Sequence, residues 1–191
     1  MIQISIISSS VRTGRKSHRV ALYLKNFIEG NNLAVAIILD LAGYNFPLFE
    51  ERLKFQKDPS NGVLDFAEKI RSSDGIIIVT PEYNGGYPAS LKNATDLLIN
   101  EWRRKPVAIS TVSDGNFGGS QVYTSLQFSL WKMGALTVPG LFPVAKVNTG
   151  FNEDGEPADK EATDLRAGKF IDELLWCIRA KTEMEGKRKQ G

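Results

Sequence analysis

The 191-residue chain has only one cysteine and one histidine, and it lacks any long hydrophobic run. Because Cys177 is the only cysteine, the chain has neither an intrachain disulfide nor a metal site built from several cysteines. No stretch approaches the roughly 18 consecutive apolar residues of a membrane span. Residues 1–5 do not begin the basic and apolar pattern of a signal peptide. We therefore predict a cytoplasmic protein with no membrane partner.

The chain also lacks a large excess of charge, since 24 lysines and arginines against 22 aspartates and glutamates give a formal net charge of only +2. A balance this small does not indicate a nucleic-acid partner. The positive charges are nevertheless unevenly spread, because Arg12, Arg15, Lys16 and Arg19 fall within one early segment. That segment is a candidate site for an anion.

Apolar runs alternate with helical periodicity along the whole chain. Strands are predicted at residues 2–8, 33–41, 75–80, 106–112 and 135–147, and helices at 17–29, 64–70, from 88 onward, 121–132 and 160–179. This alternation predicts an α/β protein with a five-stranded parallel sheet and helices on both faces. The short chain favours the flavodoxin-like order, a three-layer sandwich. We predict one domain over residues 1–182, followed by a disordered polar tail at 183–191.

The segment after the third predicted strand is the most informative stretch of the chain. It reads Pro81-Glu-Tyr-Asn-Gly-Gly-Tyr-Pro88, with a buried strand before it and a helix entered at Pro88. Asn84, Gly85 and Gly86 supply the freedom for positive φ that a tight turn needs. Tyr83 and Tyr87 bracket these residues, so a planar aromatic ligand has room to lie against bare main chain.

The loop after the first strand, residues 8–19, combines hydroxyls, a glycine and arginines before a helix. Free N–H groups and the helix dipole at such a position favour a phosphate. Gly14-Arg-Lys-Ser17 resembles only the end of a Walker A motif, because Arg15 replaces its second glycine. ATP hydrolysis is therefore not predicted. The alternative interpretation is a solvated basic loop with a serine N-cap.

A glycine-rich loop, Ser113-Asp-Gly-Asn-Phe-Gly-Gly-Ser120, follows the fourth predicted strand. Its glycines allow close approach of a ligand to the main chain, although an ordinary connector has the same composition. Strands one, three and four of a flavodoxin-like sheet end at the same edge. A phosphate cradle, an aromatic slot and a glycine loop at one edge together fit one elongated ligand, FMN.

The chain resembles the NAD(P)H-dependent FMN reductase family, which includes flavodoxin-like quinone, azo-dye and chromate reductases. The resemblance lies in Pro81-Glu-Tyr-Asn-Gly-Gly-Tyr-Pro88, which runs into Leu91-Lys-Asn-Ala94. It implies a phosphate site and two loops beside the flavin ring. The implied residues are Ser10, Arg12, Ser17 and His18 for the phosphate, Pro81, Glu82, Tyr83, Asn84 and Gly85 beside the ring, and Ser113, Gly115, Gly118 and Gly119 over its other side. Ser9 stands where the family usually has a glycine.

The resemblance also implies how the protein works. NADPH or NADH passes hydride to bound FMN, and a small acceptor such as a quinone, azo compound, metal oxyanion or free flavin then takes its place in a ping-pong mechanism. No side chain serves as a catalytic residue and no metal is required. The family commonly forms homodimers or homotetramers, and Phe46-Pro-Leu-Phe49 is either an interface loop or core.

Two other functions remain open. The protein could bind FMN loosely and deliver reduced flavin to another enzyme, or it could be a flavodoxin-type electron carrier without nicotinamide chemistry. The sequence pI of about 8.6 argues against the carrier, because small redox carriers generally use an acidic face to find their partners. A flavin-free scaffold on the same fold is a further alternative.

Overall fold

The computed structural model describes residues 1–188, which form a parallel sheet between two layers of helices. The strands are β1 (Gln3–Ser8), β2 (Val35–Asp40), β3 (Gly75–Pro81), β4 (Pro106–Val112) and β5 (Leu136–Leu141). The helices are α1 (Ser17–Gly30), α2 (Leu41–Tyr44), α3 (Asn61–Ser72), α4 (Ala89–Asp96), α5 (Gln121–Lys132), α6 (Val147–Gly150) and α7 (Lys160–Arg188). Short 3-10 turns lie at Leu53–Phe55 and Asn100–Trp102.

The strand order is β2-β1-β3-β4-β5, and every neighbouring pair is parallel. The predicted flavodoxin-like sheet is therefore confirmed. The order reverses between β1 and β3, and in open α/β sheets ligands bind at this switch point, beyond the carboxyl ends of the strands. Ser8 pairs with Val79 of β3, and Pro81 pairs with Val112 of β4. The loops after β1, β3 and β4 consequently emerge side by side.

Alternate residues of the strands pack into different helical layers. Ile4, Ile6, Ile77 and Val79 belong to an apolar cluster with α1 and α7. Ile7, Ile76 and Ile78 belong to a second cluster with α3, α4 and α5. Because both faces of the sheet are covered, its central strands β1, β3 and β4 are buried along nearly their whole length rather than at alternate positions.

The last helix differs from its prediction. α7 continues to Arg188, so the disordered tail predicted from residue 183 is wrong over 183–188, and residues 189–191 lie outside the described part of the chain. Ion pairs four residues apart, Lys181–Glu185 and Glu183–Lys187, support this polar stretch as a helix. The predicted extended stretch 135–147 is shorter in the structure, since β5 ends at Leu141 and α6 begins at Val147.

Candidate active site

A cavity of about 430 Å³ opens at the carboxyl edge of the sheet. It lies between the β1–α1 loop (residues 9–16), the β3–α4 loop (82–88), the β4–α5 loop (113–120) and the start of α6. The residues that line it are Ser10, Arg12, Gly14, Arg15, Lys16, Ser17, Pro81, Glu82, Tyr83, Val112, Ser113, Asp114, Val147 and Asn148. All three predicted loops therefore contribute to one cavity.

Helix α1 begins at this cavity without a capping side chain. Lys16 occupies the N-cap position but makes no side-chain hydrogen bond to the first turn. The serine N-cap predicted as the alternative is therefore not formed. The Ser17 side chain is buried, and within the described residues its Oγ has no hydrogen-bond partner. A buried hydroxyl without a partner is costly, so this position favours a ligand that supplies one.

The four cations of this segment are in different electrostatic states. Arg15 forms a two-pronged ion pair with Asp40, while Arg19 and Lys16 both contact Glu153. Among residues 1–188, the Arg12 side chain has no ion pair and no hydrogen bond; its backbone N–H contacts Ser10 Oγ at 3.4 Å, and its carbonyl accepts from the Arg15 N–H at 3.1 Å. Arg12 lines the cavity and is thus available to an anionic ligand.

Asp40 shapes the protonation of its neighbours. Burial favours the neutral form of Asp40, but hydrogen bonds from Arg15 and from the Ala42 N–H, with the nearby positive charge, lower its pKa overall. The hydrogen bond with Asp40 raises the pKa of Arg15. The pKa of His18 is lowered, first by burial and then by repulsion from Arg15, while Asp40 opposes both effects. The Asp40–Arg15 pair is therefore ionised at neutral pH.

The β3–α4 loop is a tight turn closed by its own backbone. The Tyr83 N–H donates to Gly86 O at 2.8 Å and the Gly86 N–H to Tyr83 O at 3.0 Å. Asn84 and Gly85, the two central residues, both have positive φ, as an Asn-Gly type I′ turn requires. The predicted positive φ is thus confirmed for Asn84 and Gly85, whereas Gly86 does not need it.

The turn is tied to both neighbouring loops. Tyr83 OH and Ser10 Oγ are 2.8 Å apart and share a hydrogen bond, which joins the β3–α4 loop to the β1–α1 loop. Glu82 accepts a hydrogen bond from the Gln121 N–H at 3.2 Å, at the start of α5. Pro81, Glu82 and Tyr83 line the cavity, while Asn84 and Gly85 shape the turn behind it.

Two glycines of the β4–α5 loop, Gly118 and Gly119, are tightly packed and do not form the cavity wall. A Cβ atom at Gly118 would lie 3.0 Å from the Pro143 side chain, and one at Gly119 would lie 3.3 Å from the Val112 backbone. Both glycines also have positive φ. Gly115, Gly118 and Gly119 are absent from the residues that line the cavity, whereas Ser113 is among them.

Two other predicted positions sit beneath the cavity. His18 does not line it, and its Nδ1 lies 3.0 Å from Ser8 Oγ. Ser9, where the family usually has glycine, is buried, and its Oγ donates to Val79 O at 2.9 Å. Its φ is not positive, so the serine fits the strand end without strain.

Several residues that line the cavity were not predicted from the sequence. Val147 and Asn148 arrive from α6, where the Asn148 N–H donates to Asp114 Oδ1 at 3.3 Å and the Val147 N–H to Ser113 O at 3.2 Å. No local motif marks them, because their position depends on how the segment after β5 folds back. Gly14, Arg15, Lys16, Val112 and Asp114 belong to segments that the sequence singled out, but they are not among the predicted binding residues.

Comparisons with known proteins identify the family of this chain. The sequence model of the family described as NADPH-dependent FMN reductase matches residues 2–149. The chain belongs to the NADPH-dependent FMN reductase family. It is an oxidoreductase with FMN and NAD(P)H as its cofactors, and the expected family is confirmed. The orphaned Ser17 hydroxyl, the available Arg12 and the cavity between the loops fit the phosphate and ring of FMN.

Similar proteins extend over nearly the whole chain. The NAD(P)H-dependent FMN reductase ntnL of Nectria sp is 32% identical over 192 residues, covering 91% of this chain and 92% of its own. The quinone reductase of Escherichia coli (strain K12) is 32% identical over 175 residues, covering 88% and 92%. Among solved structures, the flavoenzyme NAD(P)H:(acceptor) oxidoreductase FerB from Paracoccus denitrificans superposes with a TM-score of 0.77 at 24% identity, covering 94% and 98%. The last similarity concerns the fold.

No helix within residues 1–188 combines the length and apolar character that crossing a membrane requires.

Proposed function

We propose that this reductase holds FMN in the cavity at the carboxyl edge of the sheet and uses it to transfer hydride from NAD(P)H to a small acceptor, with quinones as the first class to test. The two substrates would use the same open space in turn, which is a ping-pong mechanism. One observation carries the proposal: Ser17, whose buried hydroxyl has no partner among residues 1–188, and Arg12, whose side chain has no ion pair there, both line this cavity.

In this proposal the phosphate end is held by Ser10, Arg12 and Ser17. Arg12 supplies a charge-assisted hydrogen bond, and Ser17 and the free N–H groups at the start of α1 supply neutral donors. His18 is assigned to support of the loop rather than to the phosphate, because it does not line the cavity and its Nδ1 contacts Ser8 Oγ. The loop would therefore recognise phosphate by hydrogen bonds from Ser10, Arg12, Ser17 and the start of α1.

The ring end is assigned to Pro81, Glu82, Tyr83 and Ser113. Asn84, Gly85, Gly118 and Gly119 have positive φ and fix the conformations of the two loops that carry them, and Gly115 is not assigned a contact with the ring. The flavin supplies the redox chemistry when bound, so these residues only position it and leave one face open. No side chain is assigned to proton transfer.

Quinones are chosen because one relative, which aligns with this chain over 92% of its own length, is named a quinone reductase. We propose a homodimer or homotetramer in which Phe46-Pro-Leu-Phe49 forms part of the interface. The Leu48 side chain in this loop is 85% exposed, yet Asn93 holds the backbone on both sides of it, with bonds to Pro47 O at 2.7 Å and from the Phe49 N–H at 2.6 Å. An apolar side chain presented by a fixed backbone suits a protein contact.

Steady-state kinetics test the proposed order of substrates. Initial rates would be measured with NADPH and a water-soluble benzoquinone, each varied at several fixed concentrations of the other. A ping-pong mechanism gives parallel double-reciprocal lines, whereas lines that intersect would show that both substrates bind together and would reject the shared space. Absence of quinone turnover despite NADPH-dependent bleaching of the flavin would reject the acceptor alone.

A further inference from the structure

Asp40 ends β2 beside the β1–α1 loop but does not line the cavity. Its carboxylate forms two hydrogen bonds with the guanidinium of Arg15, a residue 25 positions earlier in the chain. It also accepts a bond from the Ala42 N–H at 3.0 Å, as the N-cap of α2. The carboxylate is thus fixed from two sides and in turn fixes the direction of the Arg15 side chain.

Arg15 passes this constraint on to Ser10. The same guanidinium that binds Asp40 donates to Ser10 O at 2.7 Å. The Ser10 hydroxyl then contacts both the Arg12 N–H, at 3.4 Å, and Tyr83 OH, at 2.8 Å. One connected series of hydrogen bonds therefore leads from Asp40 to the loop that carries Arg12 and to the loop that carries Tyr83.

We propose that Asp40 is a positioning residue for flavin phosphate recognition, acting through Arg15 to hold the β1–α1 loop in the conformation that binds FMN. This inference rests on the proposed function, because it assumes that the loop receives the phosphate. Asp40 itself does not touch the ligand. The Arg15 guanidinium binds Asp40 and the Ser10 carbonyl. Arg12 is therefore the residue assigned to bind the phosphate.

Because Asp40 is charged, the direction in which its substitution changes the affinity for FMN tests the inference. A carboxylate close to a phosphate site repels the anion, so simple electrostatics predicts that its removal tightens FMN binding. A positioning role predicts the opposite, because the loop loses its preformed shape and part of the binding energy must order it again. The two explanations cannot both hold for the same variant.

The experiment compares FMN with riboflavin, which lacks the phosphate, on the full-length protein. Dissociation constants of both flavins would be measured by fluorescence quenching for the wild type, Asp40→Asn, Arg15→Gln and the double variant. Asp40→Asn is expected to weaken FMN binding about tenfold while riboflavin binding changes little. Because the two substitutions remove one connected interaction, the double variant is expected to bind FMN no more weakly than Arg15→Gln alone.

Asp65→Asn is the matched control, since Asp65 is also a carboxylate with an ion pair, to Lys69, but lies on α3 away from the cavity. It is expected to leave both dissociation constants unchanged. A general loss of structure in Asp40→Asn would weaken FMN and riboflavin alike and would overturn the inference. Unchanged or tighter FMN binding would overturn it as well, as would fully additive effects in the double variant.

Measurements on the wild type distinguish a failure of the proposed function from a failure of the role of Asp40. If wild-type protein does not prefer FMN over riboflavin, the assignment of the phosphate site fails and the proposed function with it. If the wild type prefers FMN and Asp40→Asn keeps that preference, only the role of Asp40 is refuted.

Discussion

At the scale of single residues, the site depends on which polar groups already have partners. Three of the four cations in the β1–α1 segment are paired with carboxylates, and Arg12 is the exception within the described residues. Ser17 differs from the other buried hydroxyls in the same way, because its Oγ has no partner there. Unsatisfied groups that face a cavity indicate where a ligand completes the structure.

The first prediction concerns Arg12. Arg12→Ala removes a charge-assisted hydrogen bond to the phosphate, so FMN binding is expected to weaken about ten- to a hundredfold, measured by fluorescence titration. Arg52→Ala removes an exposed arginine outside the cavity and serves as the control. Equal FMN affinity in the two variants would contradict the assignment of Arg12.

The second prediction separates binding from stability at Ser17. Ser17→Ala removes an orphaned buried hydroxyl, so the free energy of unfolding of the flavin-free protein should stay equal or rise, while FMN binding weakens about tenfold. Chemical denaturation and flavin titration measure the two quantities.

Ser5→Ala is the matched control, because the buried Ser5 hydroxyl bonds Ser73 Oγ at 2.6 Å far from the cavity. It is expected to lower the free energy of unfolding by about 1 kcal/mol and to leave FMN binding unchanged. A clear loss of stability in Ser17→Ala would mean that its hydroxyl has a structural partner.

The third prediction uses the lowered pKa of His18. Because the folded protein disfavours the protonated form, the unfolded chain binds more protons, and stability must fall as the pH drops from about 6.5 through the lower folded pKa. In flavin-free His18→Gln this contribution to the pH dependence should vanish. Urea denaturation of both proteins between pH 7.5 and 5 measures it, and parallel stability curves would contradict the burial of His18.

At the scale of elements, the segment after β5 anchors the N-terminal end of α1. The stretch Asn152-Glu-Asp-Gly-Glu156 is a polar turn, but Glu153 also binds Arg19 and Lys16 at the start of α1. Gly155 packs directly on that helix with φ of +84°. A turn of ordinary composition therefore holds the helix whose first turn faces the cavity.

The fourth prediction tests this contact. A Cβ at position 155 would lie 2.6 Å from Arg19 O and 2.8 Å from Tyr23 N, both backbone atoms that cannot easily move. Gly155→Ala is thus expected to lower the free energy of unfolding by about 2–4 kcal/mol in chemical denaturation.

Gly30→Ala provides the comparison, since nothing lies within 4 Å of the added Cβ and the position ends α1. It should be neutral or stabilise the protein by up to about 1 kcal/mol. Similar losses in the two variants would show that the close packing of Gly155 is unimportant.

Elements with strong apolar periodicity were predicted well from the sequence. β4 and α5 have the predicted limits, 106–112 and 121–132, because their buried faces are complete within the segment itself. The end of α7 was not predicted, since a polar composition suggested disorder while the side-chain pairs that support the helix are spaced four residues apart. Composition alone does not reveal that spacing.

At the scale of the whole molecule, the sheet order brings together loops that are far apart in sequence. The predicted loops after β1, β3 and β4 all reach the cavity, because parallel strands end at one edge. Local sequence patterns could not predict the ion pair of Arg15 with Asp40, nor the position of Asn148 in the cavity wall. Both depend on neighbours that only the folded topology supplies.

The fifth prediction tests the central claim, that NAD(P)H reduces FMN bound in this cavity. Wild-type protein loaded with FMN would be mixed anaerobically with NADPH, and separately with NADH, in a stopped-flow spectrometer that follows the oxidised-flavin absorbance. We expect rapid bleaching with at least one donor, and slower or absent bleaching in Arg12→Ala at FMN concentrations that saturate only the wild type. Bound FMN that neither donor bleaches would contradict the reductase assignment and favour an electron carrier. Failure of the wild type to bind FMN would contradict the site itself.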